Sequence, residues 1–327
     1  MKTDVLPASP EAIQLAAALL RAGSLVAFPT ETVYGLGANA LSTNACAAIY
    51  SVKGRPSRNP IIVHLQDKEQ ALELVSFWPA DAETLASMFW PGPLTLVLPR
   101  NDKVSDIVTG GGSSVGLRVP AHPAALALLR AASLPIAAPS ANLSNHLSPT
   151  TAEHVYEDLG GRIPLILDAG PSPCGIESTV LSLASSQPTI LRPGMISQEE
   201  IEGLIGPILI RSSSSTDTEP LQSPGQMPRH YAPRAILELW DDSLERACSL
   251  LGSGERVGCL RLHVQTLPYE IVTVTMPGDA GKYSARLYAE LHNLDRLKVT
   301  RILVDMPPCT QEWAAVRDRL ERAAARD

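Results

Sequence analysis

The chain has 327 residues, 45% of them apolar and only 4% aromatic, and its formal net charge is −7. That length suggests two domains, each with enough Leu, Ile, Val and Ala for a core of its own. The acidity argues against a surface that binds nucleic acid non-specifically, and no apolar run approaches the ~20 residues that a membrane span needs.

Residues 9–23 read as a helix, with Ser9 as N-cap, Pro10 at the first helical position and Gly23 as the stop. Residues 25–28 form a short buried strand ended by Pro29, and a helix is expected over 43–52. Residues 61–65 read as a second apolar strand. Helices near 68–75 and 81–89 precede strands at 94–98 and 115–119. A helix near 122–131 leads into a strand at 136–138. A helix over 151–159 follows, then strands near 165–168, 178–183 and 189–192. Ser197 with Glu200 marks a capping box for one more helix. Residues 211–234 break the pattern with a polar, Ser-rich run that reads as a linker. Beyond it, strands at 236–240, 256–262, 270–275 and 301–305 alternate with helices at 242–251, 282–297 and 311–325. The expected architecture is a mixed-sheet α/β domain over 1–210, a linker or lid over 211–234, and a smaller Rossmann-like α/β domain over 235–327. The second domain has no G-x-G-x-x-G after its first strand, so no dinucleotide is assigned to it.

The N-terminus has an early acid and no apolar h-region, so no secretion signal is expected. The five cysteines, Cys46, Cys174, Cys248, Cys259 and Cys309, are scattered and form no C-x-x-C pair. That disfavours a disulfide framework and a structural zinc site and points to a reducing cytoplasm. Although the chain is acidic, no carboxylate occurs between Glu31 and Asp67 or between Asp106 and Glu153, where Lys53, Arg55, Arg58, His64, Arg118 and Arg130 fall. Two such stretches can line an anion pocket or reflect apolar strands alone.

The run Lys53-Gly54-Arg55-Pro56-Ser57-Arg58-Asn59-Pro60 lies between a helix and a strand. Its guanidiniums suit phosphate oxygens, though a solvated basic loop reads the same way. His64 ends a strand, a common place for a structural histidine. Residues 29–37 end the first strand in hydroxyls and glycines, as ligand-binding strand-end loops do. Pro139-Ser140-Ala141-Asn142 is either an ordinary turn or a nucleotide contact. Gly110-Gly111-Gly112-Ser113-Ser114 is either a backbone nest for phosphate or a flexible loop. No P-loop, nucleophile elbow or H-E-x-x-H is present.

In order, the chain reads P-T-E-T-V-Y-G-L-G (29–37), K-G-R-P-S-R-N-P-I-I-V-H (53–64), W-P-G-P-L-T-L-V-L (90–98), V-G-L-R-V-P-A-H-P (115–123), P-I-A-A-P-S-A-N-L-S (135–144), S-P-T (148–150), G-I-E-S-T-V (175–180), L-R-P-G (191–194) and S-P-G-Q-M-P-R-H-Y-A-P (223–233). This ordered set resembles the YrdC/YciO family over residues 9–205, and H-Y-A-P with the following α/β domain resembles its long, two-domain form. The resemblance implies a twisted mixed sheet with flanking helices, and an activity that makes threonylcarbamoyl-adenylate from L-threonine, bicarbonate and ATP. The product would pass to a separate tRNA threonylcarbamoyl transferase acting on adenosine 37 of ANN-decoding tRNAs. By the same resemblance Thr32, His64, Arg118, Ala138 (through its backbone) and Ser178 hold threonine and its carbamate. Arg55, Asn59, Ser140, Ser148, Arg192 and Tyr231 hold ATP, with Ser114 a further candidate. Lys53 and Asn142 complete a K-x-R…S-x-N signature, Lys53 near the phosphates and Asn142 on the loop or the nucleotide. Lys53 and Arg55 are the catalytic candidates. Mg2+ would be held mainly by ATP and water, with no protein metal site. Gln226-Met227-Pro228 departs from the Met-Lys-Tyr of some relatives, while His230 and Tyr231 are kept. Direct binding of tRNA or double-stranded RNA, as in a regulatory module of the same fold, is an alternative that the net charge disfavours. A hydrogenase-maturation role would bring C-x-x-C pairs and an acylphosphatase module, and neither is present.

Overall fold

The computed structural model describes residues 1–211, 231–250, 252–262, 268 and 271–325. Its first part runs β1 (Asp4–Pro7), α1 (Pro10–Arg21), β2 (Val26–Phe28), β3 (Gly35–Asn39), α2 (Thr43–Lys53), β4 (Val63–His64), α3 (Lys68–Leu72), α4 (Ala80–Phe89), β5 (Leu94–Pro99), α5 (Asp106–Thr109), β6 (Ser114–Arg118), α6 (Pro123–Ala132), β7 (Ile136–Ala137), α7 (Ala152–Leu159), β8 (Leu165–Asp168), β9 (Thr179–Ser182), β10 (Thr189–Arg192), α8 (Gln198–Ile205) and β11 (Leu209–Ile210). The second part runs β12 (Ile236–Trp240), α9 (Leu244–Ser249), β13 (Val257–Arg261), β14 (Val272–Thr275), α10 (Ala280–Arg296), β15 (Arg301–Asp305) and α11 (Ala314–Ala324).

Local chemistry sets the element ends. Ser9 Oγ accepts the Ala12 amide, and Ala12, Ile13, Ala16, Ala17 and Leu20 then form the buried stripe of α1. The capping box expected at Ser197 and Glu200 starts α8. The larger sheet has the order β1-β8-β2-β3-β7-β4-β6-β5-β9-β10-β11 and mixes parallel with antiparallel pairs. Alternate side chains of its strands feed two cores. Val26, Phe28 and Ile136 pack under α1 and α6, while Ala27, Leu36 and Ala137 pack with α2, α4 and α7. The smaller sheet, β12-β15-β13-β14, is parallel throughout, as the Rossmann-like expectation requires. Val33, Leu147 and Ile176 of the first part join Leu287, Tyr288 and Leu291 of the second in one apolar cluster. Cys46 and Cys259 are buried, one in each part, whereas Cys248 and Cys309 are exposed. No helix among the described residues is long and apolar enough to cross a membrane.

Several sequence expectations change. Residues 35–37, expected as the end of the strand-end loop 29–37, open strand β3, paired antiparallel with β2 and β7. A side chain at Gly37 would come within 2.8 Å of Ile136 Cγ2 and 2.9 Å of Phe28 Cε1, so glycine admits the core residues on either side. The expected strand 61–65 shortens to β4, because the Ile61 and Leu65 amides bond outside it, to Val108 and Arg118 carbonyls. Strand β1 carries little apolar signal and forms against β8. The glycine run after α5 is not a phosphate nest. The Gly110, Gly111 and Gly112 amides donate to carbonyls of Asp106 and Thr109, and Gly110 presses on the backbone of Arg58. The linker call at 211–234, with His230 and Gln226-Met227-Pro228, falls largely on residues 212–230, outside the described residues.

Candidate active site

Strand ends build the site. β4 and β6 lie parallel with His64 beside Arg118. β7, on the other side of β4, delivers Pro139 and Ser140, and the β2–β3 connection delivers Thr30, Thr32 and Val33. Ser178 precedes β9, and Arg192 ends β10. These residues, with Arg55, Ala138, Glu177 and Tyr231, line one hollow with a cavity volume of ≈ 50 Å³.

One wall centres on Arg118. Its Nη1 donates to Thr32 Oγ1 at 2.9 Å and its Nε to the Gly92 carbonyl at 3.1 Å. Its Nη2 lies 2.7 Å from Glu31 Oε1, in an ion pair off the hydrogen-bond line. Burial acts to raise the Glu31 carboxyl, but Arg118 beside it holds the group below its ordinary range. His64 stands edge-on to Phe28 at 6.0 Å between ring centres. Burial, with Arg118 nearby, pushes its pKa down to about 3, so the imidazole is neutral. Its Nδ1 is buried without a hydrogen-bond partner.

The other wall carries two more guanidiniums. Arg55 Nε donates to the Asn59 carbonyl and Nη2 to the Pro60 carbonyl at 2.7 Å. Burial pushes its pKa down to about 10, which leaves it charged near neutrality. Arg192 donates to the Ser178 carbonyl (3.1 Å), Ser178 Oγ (3.2 Å) and Tyr231 Oη (3.4 Å). Ser178 Oγ also meets Thr95 Oγ1 at 2.8 Å. Gly194, just past Arg192, lets the chain cross Thr179, whose amide would lie 2.2 Å from any added Cβ.

The hollow brings together Thr32, Arg55, His64, Arg118, Ala138, Ser140, Ser178, Arg192 and Tyr231 of the expected set. Lys53, Asn59, Ser114, Asn142 and Ser148 are not among its lining residues. Lys53 was expected near phosphates. Instead its buried Nζ donates to the carbonyls of Ser140 (2.5 Å) and Asn142, and Asn142 Oδ1 lies 3.3 Å away. Burial, with Arg55 nearby, holds its pKa well below the ordinary lysine value. Asn142 Nδ2 ties the same loop to the Leu143 and His146 carbonyls. Lys53 and Asn142 therefore brace the Ser140 loop from behind. Asn59 is buried beneath Arg55, and Ser148 Oγ donates to Glu177 at 2.5 Å. Ser114 opens β6, about 13 Å from Arg118 by strand rise.

The sequence reading missed Glu31 and Glu177. Each is a lone acid inside a hydroxyl-rich motif, T-E-T and I-E-S-T, and that placement was the available signal. Burial acts against ionised Glu177, yet Arg319 and Arg192 hold its pKa below the ordinary range. No three His, Cys, Asp or Glu side chains come together as a metal site among the described residues.

A family model described as telomere recombination, for the Sua5–YciO–YrdC domain, matches residues 18–194. A second, for the threonylcarbamoyl-AMP synthase C-terminal domain, matches residues 196–325. The chain is 47% identical over 330 residues to threonylcarbamoyl-AMP synthase of Bacillus subtilis (strain 168), covering 98% of this chain and 95% of that protein. It is 44% identical over 324 residues to the Pyrococcus abyssi enzyme of the same name, covering 95% of this chain and 94% of that one. The crystal structure of P. abyssi Sua5 complexed with L-threonine superposes with a TM-score of 0.91 at 40% identity, covering 98% of each chain. With both domains matched, and the hollow formed from the motifs that carried the resemblance, the chain belongs to the threonylcarbamoyl-AMP synthase family in its two-domain form.

Proposed function

We propose that this chain condenses L-threonine, bicarbonate-derived CO2 and ATP into threonylcarbamoyl-AMP, releasing pyrophosphate, and that the product supplies tRNA threonylcarbamoylation in the cytoplasm. The observation that carries this reading is the convergence of three guanidiniums, a neutral imidazole and several hydroxyls on one hollow. In the reaction the threonine amine adds to CO2 and loses a proton, giving a carbamate. A carbamate oxygen then bonds to the α-phosphorus of ATP as the bond to the bridging oxygen breaks and pyrophosphate leaves. Two anions must be brought together in line and shielded from water. No covalent enzyme intermediate is needed.

In this reading Arg118 takes the threonine carboxylate on its planar fork, leaving Glu31 to hold it when the site is empty. Thr32 and Ser178 bond the threonine hydroxyl or the carbamate, and the Ala138 carbonyl accepts the amine. Neutral His64 turns its unpartnered Nδ1 toward the substrate without adding positive charge. Arg55, Ser140 and Arg192 hold phosphate and ribose oxygens, and Tyr231 packs on the nucleotide. Asn59, Ser148, Lys53 and Asn142 act from behind this lining, and Ser114 has no part. Mg2+ bound together with the nucleotide would supply neutralisation of the phosphate charge, beside the charge that Arg55 and Arg192 provide.

Pyrophosphate release from ATP, with threonine and bicarbonate each left out in turn, tests the proposal. Release should fall to background on either omission. Release that ignores both would point to another activity.

A further inference from the structure

The second domain reaches the nucleotide wall through Arg319 and Tyr288. Arg319, on α11, is fully buried. Its Nε donates to Glu177 Oε2 at 2.8 Å and its Nη2 to the Pro193 carbonyl at 3.0 Å, both in the first domain. Its Nη1 is held at 2.6 Å by Asp318. The guanidinium carbon stands 5.3 Å from the centre of the Tyr231 ring, a cation–π distance. Tyr288, on α10, donates to the same Glu177 at 3.1 Å, and its ring centre is 5.9 Å from that of Tyr231. Glu177 in turn accepts Ser148 Oγ. Tyr231 holds a left-handed backbone, φ +61°, uncommon for a residue with a side chain, and its hydroxyl meets Arg192.

A seam that served cohesion alone would not need this arrangement. Buried ion pairs are poor stabilisers compared with apolar side chains of the same volume. What a planar cation adds is orientation, since its fork fixes a carboxylate and its face fixes a ring. Both partners here, Glu177 and Tyr231, line the hollow. The threonine wall is built otherwise. Arg118 donates to the Gly92 carbonyl and to Thr32 and pairs with Glu31, and Thr32 Oγ1 meets Thr30 Oγ1, all in the first domain.

We infer that Arg319 is a positioning residue for the nucleotide, setting Tyr231 and Glu177 from the second domain while leaving threonine binding to the first. The inference rests on the functional reading above, in which Tyr231 and Arg192 face ATP and Arg118 faces threonine.

The test uses the full chain. Arg319→Lys keeps the charge but loses the fork and the flat face. Arg319→Met combined with Glu177→Gln removes both charges, so that neither is left buried alone. Tyr288→Phe deletes a single hydroxyl. Titration calorimetry would measure a non-hydrolysable ATP analogue and L-threonine separately, with thermal unfolding as the check on folding. In the Arg319 variants ATP affinity should weaken about ten- to a hundredfold, while threonine affinity stays within about twofold. Tyr288→Phe should show the same selectivity with a smaller loss. At saturating ATP, kcat for pyrophosphate release by the Arg319→Lys variant should stay near that of the parent while KM for ATP rises. Equal weakening of both ligands, or of neither, in the variants that fold would overturn the inference. If the parent releases no threonine-dependent pyrophosphate, the functional reading itself falls.

Discussion

Arg118 and Lys53 are both buried basic side chains, yet their partners assign them different work. Arg118 lines the hollow and keeps one nitrogen, Nη2, off any good hydrogen bond, in an ion pair with Glu31. Lys53 spends its donors on loop oxygens. Arg118→Lys should therefore raise KM for threonine by about a hundredfold, since a point charge cannot replace a bidentate fork. ATP binding, measured alone, should hardly move. Lys53→Met should instead destabilise the fold by about 2–4 kcal/mol, because it strands carbonyls that have no water to turn to; chemical denaturation would measure it. In the sequence, the acid-poor stretch around Arg118 pointed to an anion pocket, but His64 read as a structural histidine, and only the family resemblance assigned both to threonine. Lys53 it placed correctly in the chain but not in space, since a basic loop motif does not say which way each side chain points. Arg319 left no mark at all, being one of several arginines on a charged final helix.

Among elements, β3 shows why glycine runs mislead. G-L-G reads as a turn, yet here the missing side chains let a strand lie against Phe28 and Ile136. The helices were the more legible elements, because caps such as Ser9 and Ser197 declare themselves locally. Strand β1, by contrast, is defined only by its partner β8. Gly175 carries a prediction at this scale. It has φ +75°, and a Cβ there would fall 2.3 Å from the Ser284 carbonyl oxygen and 2.5 Å from Ala285 Cα, both on α10. Gly170 has φ +80° with open space around it. Gly170→Ala should cost about 1–2 kcal/mol of backbone strain. Gly175→Ala should add about 1–3 kcal/mol of overpacking against α10. Equal losses in denaturant melts of the two variants would mean that this contact does not hold α10 in place.

For the whole molecule, acid is expected to loosen the junction between the two parts. His154 of α7 and His292 of α10 stack at 3.9 Å and 13° across it. Burial pushes them down to about 3 and about 4. The facing groups are Asp158, Arg234 and Arg296, with the Ser148 carbonyl accepting from or facing His292 Nε2. Both rings stay neutral in the fold, whereas the unfolded chain takes up protons near 6.5. Stability should therefore be intact above about pH 6.5 and fall as the pH drops toward 4, where the unfolded state holds more protons. Glu31 and Glu177, held below 4.5 by their arginines, add their loss only at lower pH. Thermal midpoints should drop by several degrees between pH 7 and pH 5, and His292→Gln should flatten that part of the curve. A midpoint unchanged over this range would show that the stacked pair does not couple proton uptake to unfolding.

Because one cysteine is enclosed in each half, the protein contains its own pair of unfolding reporters. A thiol-reactive dye would mark Cys248 and Cys309 at once and find Cys46 and Cys259 sealed, both fully buried and pushed by burial up to about 12. In rising urea, the moment at which each sealed sulfur takes up label would date the opening of its own half. Simultaneous labelling would mean that catalyst and appendage melt as one cooperative body.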